Sequence, residues 1–195
     1  MTAQMTSISF CRIDEGALED YQFLHQLEPN YICGLPDRIL AALAKLENNL
    51  LAYQVSRLKF SLQTAACAEQ DSADSELILE ALIHDAGHNL APENHCKMVA
   101  AIIRLYVRDE VTWILKMHIL FHMYYYADKL GLDKDGEASY RGHKFFNTTE
   151  KLCEKWDQMY FDPDCLTKEL NYFEPIASEI FTRPPFDTVI LQEQS

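Results

Sequence analysis

Apolar residues recur along most of the chain at the spacing of an amphipathic helix, and no window alternates strictly enough to predict a strand. Asp14 is placed to cap a first helix over about Ala17 to Leu27, ended by Pro29. Pro36 sits where the first turn of a second helix would begin, running to about Leu46. A third helix near Ala52 to Ala68 puts Leu58, Leu62, Ala65 and Ala66 on one face. Ser75 opens a fourth, with Ile78, Leu79, Leu82 and Ile83 as its apolar face and a stop around Gly87. Pro92 opens a fifth with Met98, Ala101, Ile102 and Leu105 at core spacing, and Asp109 starts a sixth that runs to Leu130 before Gly131. After a polar loop over Asp133 to Phe146, two further helices are expected at about Thr149 to Tyr160 and Leu170 to Phe181. The fold class expected is all-α.

Composition narrows the setting. The chain has 195 residues, 48% of them hydrophobic, with only 6 Gly and 7 Pro, which excludes collagen-like, low-complexity and mostly disordered chains. No repeat or Gly/Ser linker divides it, so residues 1–195 read as a single domain. Its core spans about 35–181, preceded by a helical extension and followed by a mobile acidic end after Pro185. A chain of this length buries about 70% of its extended surface without needing a disulfide or structural zinc. Thirty acidic against 17 basic side chains give a formal charge of −13, a field that repels phosphate backbones and anionic membranes. The most apolar stretch, Val111 to Tyr126, is broken by Lys116, His118 and His122 and is too short and polar to span a bilayer. The start of the chain lacks a basic segment and apolar run, and none of the six cysteines forms a C-x-x-C pair. Reduced thiols and a cytoplasmic location are therefore expected. Among the basic residues, Arg57, Arg104, Lys116, Arg141 and Lys144 are the candidates for an anion-binding corner, although most are expected in solvent.

The string Ala81-Leu82-Ile83-His84-Asp85-Ala86-Gly87-His88 does not read as simple core. Its His-Asp pair directly follows an apolar helix face, which points both side chains at or near the interior. Burying a carboxylate is costly unless a partner satisfies it. A metal ion is one such partner; the plainer alternative is a helix-ending His beside a capping Asp. Imidazole and carboxylate together suit Fe, Mn or Zn, and no thiolate lies close enough in sequence to favour a structural zinc. His95 opens the next helix, His118 falls in the apolar middle of the sixth, and Asp157 sits beside Trp156 in a late one. Each alone reads as a core or cap residue. Their recurrence on consecutive helices reads as a ligand set.

Here the sequence resembles HD-domain proteins, the all-helical superfamily named for its adjacent His and Asp. The spacing is similar to the branch that includes myo-inositol oxygenase and the organophosphonate-cleaving oxygenases. The resemblance covers about Leu35 to Phe181 and rests on Ser61-Leu62-Gln63-Thr64-Ala65, the His84-Asp85 string and Ala91-Pro92-Glu93-Asn94-His95. It continues through His118 with Tyr124-Tyr125-Tyr126, and through Trp156-Asp157-Gln158 with Phe161-Asp162-Pro163. It implies an HD-type helical bundle with one or two Fe ions, Mn or another divalent metal being the alternatives. His84, Asp85 and Asp157 match one metal site; Asp85, His95 and His118 match the other, with Asp85 bridging. The implied activity is oxygenation of a small polar molecule with O2 at non-haem iron.

Three positions depart from the family pattern. Phe60 stands where the first site's leading His belongs, and a phenyl ring cannot ligate. His122 stands where a Lys is expected and Glu154 where a phosphonate-binding Arg is expected, so phosphonate is a poor match as substrate. His88 and His122 lie four residues after His84 and His118, placed to support a ligand by hydrogen bond or to substitute for one. Two further functions follow from the same resemblance. One is an HD phosphohydrolase, although Phe60 removes a member of its ligand set. The other is a degenerate HD module that binds a ligand or partner without turnover.

Overall fold

A computed structural model describes residues 6–48, 52–158, 161–165 and 167–185. The described residues form helices and turns without a strand, so the chain is all-α. The α-helices are α1 (Leu18–Cys33), α2 (Leu35–Ala44), α3 (Arg57–Gln70), α4 (Ser75–Ile83), α5 (His95–Ile103), α6 (Asp109–His122), α7 (Phe146–Leu152) and α8 (Glu174–Phe181). Short 3-10 turns link them, and a π-helical turn over Cys153–Asp157 follows α7. No helix among these residues is long and apolar enough to cross a membrane.

Two antiparallel pairs, α3 with α4 and α5 with α6, make the centre of the bundle, and α8 closes it against α2 and α4. The core fills between them with Leu43, Leu79, Leu82, Ile83, Ile103, Ile114, Leu115 and Phe181, all almost fully buried. Burial of side chains of this kind is worth about 1.5–3 kcal/mol each. α4 buries Ile78 through Ile83 without a break, so the chain leaves its last turn deep in the protein.

Several boundaries differ from those predicted. α1 is held at its start by Asp20, which accepts the Ala17 N–H at 3.1 Å, whereas Asp14 pairs with Arg12 at 2.7 Å. Pro29 lies inside α1 rather than at its end. The helix is peripheral and mostly exposed, so water can take the carbonyl that a proline leaves without a donor. α3 begins at Arg57 because Ser56 Oγ accepts the Lys59 N–H at 3.0 Å. α5 begins at His95 rather than at Pro92. α6 stops at His122; 3-10 turns over Met123–Tyr125 and Ala127–Leu130 follow, ended by Gly131 with φ +72°. α7 begins at Phe146 and its predicted end, Tyr160, lies outside the described residues, as does the acidic end from 186 onward. The predicted loop before α7 holds a 3-10 turn over Gly136–Tyr140. Cys11, Cys33, Cys96 and Cys153 are free thiols.

Candidate metal centre

The end of α4 delivers His84 and Asp85 to the interior, and the turn that follows brings His88 back beside them. That turn lies against the start of α5 at Gly87. A Cβ on residue 87 would stand 3.0 Å from the His95 Cα, Cβ and carbonyl oxygen, closer than side chains ordinarily pack, so a residue other than glycine would push the start of α5 away. His118 comes from the buried face of α6. Asp157 comes from the last position of the π turn, a wider winding that recurs at functional sites. Trp156 Nε1 donates to Asp71 Oδ2 at 3.0 Å and Cys153 Sγ reaches His118 O at 3.7 Å, which fixes the π turn to α3 and α6.

The five residues matched to the metal sites thus converge, and each is only 3–4% exposed. Asp85 is their hub. Its Oδ1 lies 3.4 Å from His95 Nε2, 3.2 Å from His88 Nε2 and 3.8 Å from His84 Nε2. His84 Nε2 is also 3.6 Å from Asp157 Oδ1. The His118 ring is 5.4 Å from that of His84 and 5.6 Å from that of His95, and His88 stacks on His95 at 3.7 Å. His122 Nδ1 stands 3.7 Å from Asp157 Oδ2, beyond hydrogen-bond reach.

Three imidazoles are oriented in the same way. Nδ1 of His84, His95 and His118 lies 2.8, 2.9 and 2.8 Å from the carbonyl three residues earlier, of Ala81, Pro92 and Leu115. A carbonyl only accepts, which places the proton on Nδ1 and leaves the Nε2 lone pair for another partner. That is the support a ligating histidine receives from its surroundings. His84 Nε2 and Asp157 Oδ2 are buried with no hydrogen-bond partner at all. Orphaned lone pairs on a buried imidazole and a buried carboxylate are what a cation would satisfy. Ligand atoms bound at about 2.1 Å around one tetrahedral ion stand about 3.4 Å apart, close to the separations around Asp85 Oδ1. The donor set fits a divalent metal.

Electrostatics agree with that fit at His95, His118 and Asp85. Burial pushes His118 down to about 4 and also lowers His95, so both imidazoles are neutral and able to ligate at neutral pH. Burial also pushes His84 down, but the Asp85 and Asp157 carboxylates outweigh it and hold the ring above its ordinary value. Burial would raise Asp85, yet His84 and His88 overcome it and hold the carboxyl well below the usual carboxylate range.

Phe60 packs against His84 at the edge of the cluster. Its ring is buried, edge-on to His84 at 5.4 Å and stacked on Phe161 at 4.6 Å, which in turn stacks on Tyr53 at 5.2 Å. Gln63 Nε2 donates to Asp162 O at 2.7 Å and holds the Phe161 segment against α3. These three rings form one wall of a cavity of about 590 Å³ that opens on the histidines; Ile119, Tyr125 and Tyr126 also line it. A volume in this range suits a small ligand.

Three further residues contribute to the centre. Arg57, expected as part of an anion-binding corner, donates from Nη1 to Asp85 Oδ2 at 3.1 Å, while Arg104, Lys116, Arg141 and Lys144 are exposed and line no part of the cavity. Cys96 groups with His95 and His118 as a potential donor, a single thiol whose signal in the sequence is its adjacency to His95. Burial raises its thiol, so it is a protonated and weaker donor than the imidazoles. Glu80, one turn before His84, is buried and pushed up to about 8 by that burial, hence neutral at pH 7. An acid inside the apolar face Ile78 to Ile83 was its signal. Compared with known proteins, the chain matches no protein-family model and none of the curated proteins.

Proposed function

We propose that the chain is a metal-dependent oxygenase of the HD type, holding iron at Asp85, His95 and His118 and acting with O2 on a small polar molecule. The observation that carries this reading is the donor set. Two neutral imidazoles, each with Nδ1 tied to a carbonyl, stand with one carboxylate kept ionised, the ligand types of a non-haem iron facial triad. Iron bound there would supply the redox chemistry that no side chain of the cavity provides. His84 and Asp157 either complete the same ion's surroundings or hold it in place.

The rest of the chain's contribution is positioning and exclusion of water. The Tyr53, Phe161 and Phe60 stack presents an apolar wall to a substrate, and Tyr125 and Tyr126 offer hydroxyls that suit a polar one. Lys129 also lines the cavity, so an anionic group on the substrate would find a counter-charge there. Phe60 favours a second reading, an HD module that binds a ligand without turnover, because it removes a donor and replaces it with well-packed apolar bulk.

Anaerobic loading with Fe(II), followed by nitric oxide as an O2 analogue, separates the two. An oxygenase site retains iron through desalting and gives the high-spin iron–nitrosyl signal by electron paramagnetic resonance. Protein that retains only zinc, or no metal, and gives no such signal would leave the binding module as the better reading.

A further inference from the structure

We propose that Arg57 takes the place of a second cation at this centre, so that the protein holds a single divalent ion and balances the remaining charge of Asp85 with its own guanidinium. This rests on the reading of the centre as a metal site. The two oxygens of Asp85 have different neighbours. Oδ1 faces imidazoles, His88 at 3.2 Å and His95 at 3.4 Å, whereas Oδ2 accepts from Arg57 Nη1 at 3.1 Å. A carboxylate that bridges two ions gives an oxygen to each. Here one of the two is already committed to an organic cation.

The same Nη1 lies 3.1 Å from His88 Nε2. That imidazole nitrogen also stands 3.2 Å from Asp85 Oδ1, so His88 lies against both members of the Arg57–Asp85 pair. Arg57 therefore occupies the oxygen of Asp85 that a second, bridged ion would need. It also cannot yield by losing its charge, since arginine stays protonated in proteins. A divalent ion beside Oδ2 would meet a fixed positive charge with no carboxylate between them.

Position along α3 makes the two changes one event. Arg57 is the first residue of the helix, its backbone set by the Ser56 cap and its guanidinium 5.6 Å from the centre of the Tyr53 ring. Phe60 stands one turn later, with its ring packed between Phe161 and His84. One turn of helix thus withholds a ligand from the second ion and supplies a charge in its stead. The Oδ1 side keeps its imidazoles and remains open to a single ion.

The experiment is Fe(II) titration of the full chain under anaerobic conditions, with elemental analysis after desalting. Wild type and Phe60→His are each expected to retain one ion per chain. Phe60→His/Arg57→Gln is expected to retain two, and Phe60→His/Arg57→Lys to stay at one because the charge is kept. Two ions in wild type, or in Phe60→His alone, would overturn the role of Arg57 while leaving the metal centre intact. A folded Phe60→His/Arg57→Gln protein that still holds one ion would overturn it as well. If that double variant fails to fold, Phe60→His alone decides. Absence of retained metal in every protein would remove the metal reading itself, and this inference with it.

Discussion

Gly87 lies so close to His95 that a Cβ on residue 87 would stand 3.0 Å from the Cα, Cβ and carbonyl oxygen of His95. That approach is what brings the turn carrying Asp85 against the helix carrying His95, whose Nε2 ends 3.4 Å from Asp85 Oδ1. The centre therefore depends on a residue that contributes no atom to it.

Gly87→Ala should disturb the centre more than the fold. The atoms in the way are backbone and Cβ, so α5 must shift rather than a flexible side chain, at about 1–3 kcal/mol. Metal affinity should fall by about tenfold or more, the scale seen when support for a ligand is lost. Urea unfolding of the chelated proteins and iron titration check the two effects. Equal metal affinity in both proteins would count against the role given to this contact.

Asp85→Asn should lower stability with and without metal. Without metal, the variant loses the buried pair with Arg57 and leaves the guanidinium without its carboxylate, a change of about 3–5 kcal/mol. Asp85 is held below its ordinary pKa, so its stabilisation is present above about pH 4 and disappears as the pH falls further. With iron, the gap should widen, because binding the folded state alone adds stability only where affinity survives. Thermal melts of chelated and iron-loaded proteins test this. An equal iron-induced rise in both would show that Asp85 is not a ligand.

Glu80→Gln should gain on wild type as the pH rises. The Glu80 carboxyl is pushed up to about 8 in the folded protein against an ordinary value of 4.5. Its contribution is therefore whole below pH 4.5 and is lost progressively as the pH rises through 8, where the unfolded chain carries the free carboxylate. A glutamine carries no such loss. Urea midpoints of the chelated proteins at pH 5 and pH 8 should show the difference moving in favour of the variant; a constant difference would mean that Glu80 is already ionised when buried.

Phe60→Ala should cost about 3–5 kcal/mol, the range for deleting a buried phenyl ring. The loss combines the stack on Phe161 with the edge contact to His84. A change under about 1 kcal/mol by urea unfolding would mean that the aromatic wall collapses without penalty.

Much of the centre was legible because its residues break a local rule. His84, Asp85, His118 and Asp157 are polar groups at positions where helical spacing demands core, and a buried polar group needs a partner. Phe60 was legible as a departure from the ligand pattern of the HD resemblance. Arg57 broke no rule. An arginine in the first turn of a helix is ordinary on a surface, and nothing local reveals that it turns inward. Glu80 and Cys96 carry only a weak signal, one being a common helix residue and the other a single thiol.

Helix number and the apolar face of α4 followed from the sequence alone, since burial of one stripe per helix imposes a spacing that such a chain must show. The face expected for α5 was the wrong one, because the helix buries Val99, Ala100 and Ile103 and leaves Ala101 exposed. The path of the backbone between helices did not follow from the sequence. Pro29 continues a helix because α1 is peripheral, and α6 ends at His122 although the apolar and aromatic pattern runs on to Leu130. Only the tertiary structure decided that Asp85 has an imidazole side and a guanidinium side. That division depends on where α3 begins relative to the end of α4, a distance between elements 28 residues apart at Arg57 and Asp85. Spacing along one helix carries no information about such a distance; the packing of α3 on α4 sets it.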